Sequence, residues 1–108
     1  FKVPVVLENA DTAFLAFPVL INSDAPFSRR DFQIFLEKRN IQTRVCFTGN
    51  ILRQPMMSGV PYKVSKTGYI NADSVTMNGV LLPVHHGMTE TMFDRLHSTI
   101  DNFVSSRK

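Results

Sequence analysis

Residues 26 to 47, PFSRRDFQIFLEKRNIQTRVCF, carry the signals of a helix that leads directly into a strand. Ser28 is a typical N-cap residue, Asp31 follows it in the first turn, and Phe27 has the spacing to contact an apolar residue across the cap. The stripe that would face the core consists of Phe32, Phe35, Leu36 and the aliphatic part of Arg39. Asn40 suits the left-handed conformation that often ends a helix. The pattern predicts an amphipathic helix that begins at Ser28 and ends near Asn40.

The strand after this helix is predicted from an alternation of side chains over residues 41 to 47. Ile41, Thr43 and Val45 would point to one side of a sheet, because successive side chains of a strand point to opposite faces. Arg44 would therefore point to the second face.

Two other strands and a last helix are predicted from apolar patterns. Residues 12 to 21 (TAFLAFPVLI) are apolar and aromatic, and Pro18 marks an edge strand or a bulge because proline lacks an N–H. Residues 80 to 84 (VLLPV) would form a strand buried on both faces. Thr89 would cap the last helix. Its apolar residues, at steps of three and four, are Phe93, Leu96, Ile100, Phe103 and Val104.

The segment between the second and third strands is irregular. Residues 47 to 69 include three glycines and two prolines, so we expect a loop with at most one helical turn at residues 50 to 53. A short helix should follow, with Asn71 or Asp73 as its cap and Gly79 at its end.

The composition agrees with one folded domain over residues 1 to 108. Hydrophobic residues make up 44% of the chain and charged residues 19%, which is too apolar and too weakly charged for a disordered chain. The order of the predicted elements favours an α+β fold: a two-layer sandwich in which helices cover a sheet of three or four strands.

Charge and cysteine content exclude several classes of protein. The 12 Lys and Arg residues are scattered along the chain, so no nucleic-acid partner is expected. No apolar run reaches the roughly 18 residues needed to cross a bilayer, so no membrane partner is expected. The single cysteine, Cys46, excludes an internal disulfide and fits a reducing compartment such as the cytoplasm. Because the chain begins with Phe1, we expect a processed chain or a piece of a longer protein.

Few residues suggest catalysis. His85 and His86 lie where a predicted strand leads into a helix, but neighbours in an extended segment point to opposite sides and do not suit one metal ion. They are expected to contact a ligand or another part of a larger protein, or to face solvent. Cys46 has no base arranged beside it, so we expect a small core or edge residue. We can assemble neither a nucleophile with its base nor a pair of carboxylates, and we predict no catalytic residue and no metal site.

Residues 48 to 53 (TGNILR) place several hydrogen-bond donors close together. The hydroxyl of Thr48, the amide of Asn50 and the guanidinium of Arg53 could bind an anionic or sugar ligand. The alternative is that Asn50 caps a short helix and Arg53 is an ordinary surface residue. The residues alone favour neither interpretation.

Two long stretches carry a family resemblance, APFSRRDFQIFLEKRNIQTRVCFTGNILRQP and ADSVTMNGVLLPVHHGMTETMFDRLHSTIDNF. They resemble the C-terminal small domain of the DegT/DnrJ/EryC1/StrS family of pyridoxal-phosphate-dependent sugar aminotransferases, and within it the nucleotide-sugar 3-dehydratases most of all. The most specific parts are IQTR, FTGNILRQP and LLPVHHGMT. The likeness extends from about residue 13 to residue 103.

This resemblance implies the small domain of a fold-type I enzyme of lipopolysaccharide or deoxysugar biosynthesis. The whole enzyme would act on a 4-keto nucleotide sugar by 3-dehydration or transamination, with pyridoxal phosphate or pyridoxamine phosphate held by a large domain absent from this chain. The implied partners are that large domain, the nucleotide-linked sugar and a second copy in a homodimer. The alternative is a free-standing α+β module that binds a small ligand or a protein without catalysis.

The resemblance also implies which residues lie near the substrate. On the matching motifs these are Arg44, Thr48, Gly49, Asn50, Arg53, His85 and His86. It assigns no role to residues 56 to 69. A lobe separated from its large domain should expose an unusually apolar face, because the surface between the two would be uncovered.

Overall fold

The computed structural model describes residues 1 to 107, which contain three strands, three α-helices and two short 3₁₀ turns. The strands are β1 (Phe17–Leu20), β2 (Arg44–Val45) and β3 (Gly79–Leu82). The helices are α1 (Arg29–Glu37), α2 (Ile70–Asn78) and α3 (Glu90–Ser105). The 3₁₀ turns, Ile51–Arg53 and Pro55–Met57, lie between β2 and α2.

The three strands form one antiparallel sheet in the order β1, β3, β2. Val80 of the central strand lies between Val19 of β1 and Val45 of β2. Pro18 lies on a strand at the border of this sheet, as expected for a residue that cannot donate to a central ladder. Beyond β1, Lys2 exchanges two backbone hydrogen bonds with Leu20, of 2.8 and 2.9 Å.

The helices α1 and α3 cover one face of the sheet. Cross-strand neighbours such as Val19 and Val80 are buried there and pack against Phe32 of α1 and Phe103 of α3, which are fully buried. The buried apolar core comprises Val19, Ile21, Phe32, Leu36, Ile41, Val80, Leu82, Leu96 and Phe103. This two-layer arrangement confirms the predicted α+β sandwich with a three-stranded sheet.

The helix caps follow the sequence signals. Ser28 caps α1: its hydroxyl accepts from the Asp31 backbone at 3.1 Å, and the Asp31 carboxylate accepts from the Ser28 backbone at 3.0 Å. This reciprocal pair is a capping box. Asn40 has the expected left-handed backbone, with φ of 58°. Thr89 caps α3 by accepting from the backbone N–H of Met92.

All three strand predictions were wrong in extent. The first strand covers residues 17 to 20 instead of 12 to 21. The second strand covers two residues instead of seven, and Val45 is 45% exposed, because β2 lies at the border of the sheet and little packs over its end. The third strand ends at Leu82, since Pro83 has no N–H with which to continue the ladder.

The predicted cap of α2 was also wrong. The residue at the cap position is Tyr69, and its side chain makes no capping hydrogen bond. Asp73 lies within the helix, where its carboxylate accepts hydrogen bonds from the loop after β2 instead of capping its own backbone. Gly79 does end the helix, as predicted.

Over residues 1 to 107, none of the helices has both the length and the apolar character that crossing a membrane requires.

Candidate functional site

The loop that follows β2 lies directly against α2. Gly49 has a left-handed backbone, with φ of 62°, and a side chain there would place its Cβ about 2.8 Å from the Cα of Thr76. Glycine is therefore required both by the backbone angle and by the close approach of the helix. Phe47, two residues earlier, is also left-handed, with φ of 49°, and its side chain is 85% exposed.

Asn50 attaches the loop to the helix. The residue is only 4% exposed. Its side-chain oxygen accepts from the backbone of Leu52 at 3.1 Å, so that it caps the first 3₁₀ turn, and its amide nitrogen donates to Oδ1 of Asp73 at 2.7 Å. Its backbone N–H donates to the hydroxyl of Thr76 at 2.6 Å. The hypothesis that Asn50 acts as a cap is confirmed, and the residue also joins two segments of the chain.

Arg53 forms a two-pronged ion pair with the same carboxylate. Its Nε donates to Oδ1 of Asp73 at 3.0 Å and its Nη2 donates to Oδ2 at 2.9 Å. The hydrogen bonds from Arg53, and next the one from Asn50, lower the pKa of Asp73 to about 2. The same pair raises the pKa of Arg53. The Arg53 side chain nevertheless remains 66% exposed.

The helix α2 presents two contact residues to this loop. Asp73 and Thr76 are three positions apart and so lie on one face of the helix. The hydroxyl of Thr76 also donates to the carbonyl of Ala72, and the Thr76 carbonyl accepts from Nη1 of Arg29 at 2.6 Å. The loop, α1 and α2 are thus joined in one hydrogen-bonded unit. We define the group Asn50, Arg53, Asp73 and Thr76 as the loop–helix cluster.

The ion pair in this cluster leaves part of the Arg53 guanidinium without a partner in the pair. The pair with Asp73 uses two of the five N–H donors that a guanidinium carries. The remaining donors belong to a largely exposed side chain whose orientation is held by the pair. Such a guanidinium suits the oxygens of a phosphate or a carboxylate.

The other predicted site residues lie elsewhere. Thr48 lines a cleft of about 360 Å³ beside Cys46 and Gly49, and its carbonyl accepts from the side chain of Gln54 at 2.8 Å. Arg44 is exposed and lies opposite Leu81 on the face of the sheet away from α1 and α3. Cys46 itself is half-buried, and burial raises the pKa of its thiol.

The two histidines lie on the loop between β3 and α3, and both are exposed. Nδ1 of His85 accepts from the backbone N–H of Gly87 at 3.1 Å, and His85 lines a cleft of about 360 Å³ with Met88 and Arg95. The structure thus brings Asn50 and Arg53 together on the carboxylate of Asp73, whereas Thr48 lines a separate cleft. His85 lines a different cleft from those that Thr48 and Arg44 line. Within residues 1 to 107, no three metal-ligating side chains form a group.

Sequence reasoning missed the partners of the loop. Asp73 was considered only as a helix cap, and Thr76 and Arg29 were not considered at all. These residues lie 20 or more positions from their partners in the loop or the helix. No local pattern marks such contacts, because they depend on how α2 packs against the loop.

The Asp73 carboxylate gives the folded chain a pH dependence in acid. Its pKa falls from the ordinary 3.8 to about 2, so its contribution to stability is complete above pH 3.8 and is lost as the pH falls toward 2. An NMR titration of the Asp73 carboxyl should show the low pKa in the natural chain. In Arg53→Ala the pKa should rise toward its ordinary value, and an unchanged value in that variant would contradict the ion pair.

Comparison with known proteins agrees with this fold. The model of the DegT/DnrJ/EryC1/StrS aminotransferase family matches residues 1–101. The dTDP-4-dehydro-2,6-dideoxy-D-glucose 3-dehydratase of Saccharopolyspora spinosa is 36% identical over 102 residues, which are 94% of this chain and 22% of that protein. The chain therefore spans less than a quarter of the length of this relative.

Two solved structures have the same fold. A DegT/DnrJ/EryC1/StrS aminotransferase from Brucella abortus superposes with a TM-score of 0.80 at 19% identity, over 94% of this chain and 26% of that one. The GDP-4-keto-6-deoxy-D-mannose-3-dehydratase of E. coli, solved with bound hydrated PLP, superposes with a TM-score of 0.71 at 22% identity, over 98% of this chain and 25% of that one. Since the family model matches nearly all of the sequence, the chain belongs to the DegT/DnrJ/EryC1/StrS aminotransferase family.

Proposed function

We propose that this chain is the small C-terminal lobe of a longer enzyme, dependent on pyridoxal phosphate or pyridoxamine phosphate, that acts on a 4-keto nucleotide sugar. The main support for this proposal is the match to a sugar 3-dehydratase, which covers 94% of this chain but only 22% of the relative. The reaction would be 3-dehydration or transamination, in lipopolysaccharide or deoxysugar biosynthesis. The whole enzyme would act as a homodimer.

The surface of the chain supports a missing large domain. Leu15 and Phe47 are both highly exposed, and with Arg44 and Leu81 they line a cleft of about 320 Å³ on the face of the sheet that α1 and α3 do not cover. Monomeric proteins rarely leave large apolar patches in water. A larger domain of the same enzyme would cover this face.

The residues of this chain do not suit the holding of the cofactor. In the bound state such a cofactor supplies an electron sink for the chemistry at the sugar. A lysine or histidine in a closed site would have to face it, yet the lysines and histidines among residues 1 to 107 are all exposed. None of the clefts described above is lined by a lysine. We therefore assign cofactor binding to the large domain.

We assign substrate binding to the loop after β2. Thr48 and Arg53 would contact the nucleotide-linked sugar, with the Arg53 guanidinium on its phosphates. The buried Asn50 would contribute by holding the loop in place. Arg44 and the two histidines of the β3–α3 loop would border the same substrate in the whole enzyme. The support is the rigid loop–helix cluster and the exposed guanidinium that it orients.

The test uses the full-length protein that contains this chain. With added cofactor it should convert a 4-keto-6-deoxy nucleotide sugar, as followed by mass spectrometry of the product. The 108-residue chain alone is the control, and it should keep no cofactor absorbance after dialysis. A full-length protein without turnover, together with sugar or protein binding by the isolated chain, would instead support a free-standing module. A cofactor band in the isolated chain that disappears when one lysine is mutated would also overturn the proposal.

A further inference from the structure

We propose that Asp73 is a positioning residue for the substrate: its carboxylate holds the Arg53 guanidinium so that the free edge of that group receives a phosphate oxygen of the nucleotide sugar. This inference rests on the function proposed above. It adds a residue of α2, remote in sequence from the loop, to the residues that determine substrate binding.

The geometry of the pair leaves the right donors free. Asp73 is bound through Nε and Nη2 of Arg53, at 3.0 and 2.9 Å, so it occupies the side edge of the guanidinium. Both hydrogens of Nη1 and the second hydrogen of Nη2 are not used by that pair. One hydrogen of Nη1 and the free hydrogen of Nη2 form a second fork at the end of the side chain, which can receive two oxygens of a phosphate.

The carboxylate is itself held in place. Besides Arg53, it accepts a hydrogen bond of 2.7 Å from the amide of Asn50, which is almost completely buried. Asp73 belongs to α2, whose Thr76 binds the backbone of Asn50 one turn later. Turning the carboxylate would break three hydrogen bonds, so Arg53 is oriented by a rigid partner.

Arg53 could bind a phosphate mainly through its charge or mainly through its fixed orientation, and the two cases predict opposite changes in affinity when Asp73 is made neutral. A carboxylate beside a guanidinium partly cancels its charge, so an arginine acting only through attraction should bind an anion more tightly when Asp73 is made neutral. An arginine acting through its orientation should bind more weakly, because free rotation of the side chain must then be lost on binding. The sign of the change therefore decides between the two.

The experiment measures KM and kcat of the full-length enzyme for its nucleotide sugar. Asp73→Asn should raise KM by roughly 3- to 30-fold with kcat nearly unchanged, the upper limit corresponding to the whole rotamer entropy of an arginine. In a protein that already carries Arg53→Ala, Asp73→Asn should have no further effect on KM. Asp94→Asn, an exposed residue of α3 with the same change of charge, is the matched control and should leave KM unchanged.

Two further variants separate positioning from folding. Asp73→Glu keeps the carboxylate and should recover part of the affinity. Arg53→Lys keeps the charge but cannot form a fork, so it should lose most of the substrate affinity that Arg53→Ala loses. This variant tests the role of orientation even if Asp73→Asn does not fold. Two outcomes would overturn the role of Asp73 but leave the proposed function standing. One is a KM for Asp73→Asn that is unchanged or lower, and the other is an equal rise in KM when Asp73→Asn is added to Arg53→Ala. Absence of turnover by the natural enzyme would overturn the proposed function and this inference together.

Discussion

Phe103→Ala should lower the free energy of unfolding of this chain by about 3–5 kcal/mol. Phe103 is fully buried, and its ring lies 4.8 Å from that of Phe27, 5.3 Å from Phe32 and 5.0 Å from Phe35, measured between centroids. Removing it leaves a cavity where α1 and α3 meet the sheet. The loss would be a large share of the roughly 5–15 kcal/mol that stabilises an ordinary domain.

Urea unfolding followed by circular dichroism measures this loss. The matched control is Phe47→Ala, which removes the same ring from a site that is 85% exposed. Its effect should stay within about 0.5 kcal/mol. A loss below 1 kcal/mol for Phe103→Ala would show that the helices do not pack on the sheet as described.

The second large effect concerns substrate binding. In the full-length protein, Arg53→Ala should weaken binding of the nucleotide sugar roughly 10- to 100-fold, because a guanidinium forked onto a phosphate contributes about 1.5–3 kcal/mol. Cofactor absorbance should hardly change, since we assign the ligands of the cofactor to the large domain. Isothermal titration with the nucleotide sugar gives the affinity, and Arg30→Ala, an exposed arginine of α1, is the control.

A purely structural role of the loop makes a different prediction. Asn50→Ala would then cost about 1 kcal/mol of stability for the lost cap, and neither Asn50→Ala nor Arg53→Ala would change the affinity. The contacts of Asn50 with Asp73 and Leu52 make a stability loss expected on either account. The affinity is therefore the deciding measurement, and unchanged binding in both variants would end the proposal for this loop.

Local signals predicted the helices well. The cap at Ser28, the cap at Thr89 and the left-handed Asn40 all depend on residues within four positions of one another, and each lies where the sequence indicates. The strands were predicted in place but not in length. The two-residue β2 pairs with only two of the four residues of β3, and no local pattern in the sequence records where that pairing stops.

The candidate site also has features that neighbouring residues predict and features that depend on contacts between distant segments. The sequence alone determined that Gly49, Asn50 and Arg53 lie together in an irregular loop with at most one helical turn, because glycines and prolines close by in the chain mark such a loop. It left open whether Asn50 caps that turn or binds a ligand. Only the tertiary structure decided that Asp73 binds both Asn50 and Arg53, since that contact forms when α2 packs against a loop 20 residues earlier. Residues that are far apart in the chain come within hydrogen-bond distance only when the chain folds, so the sequence carries no local sign of such a contact.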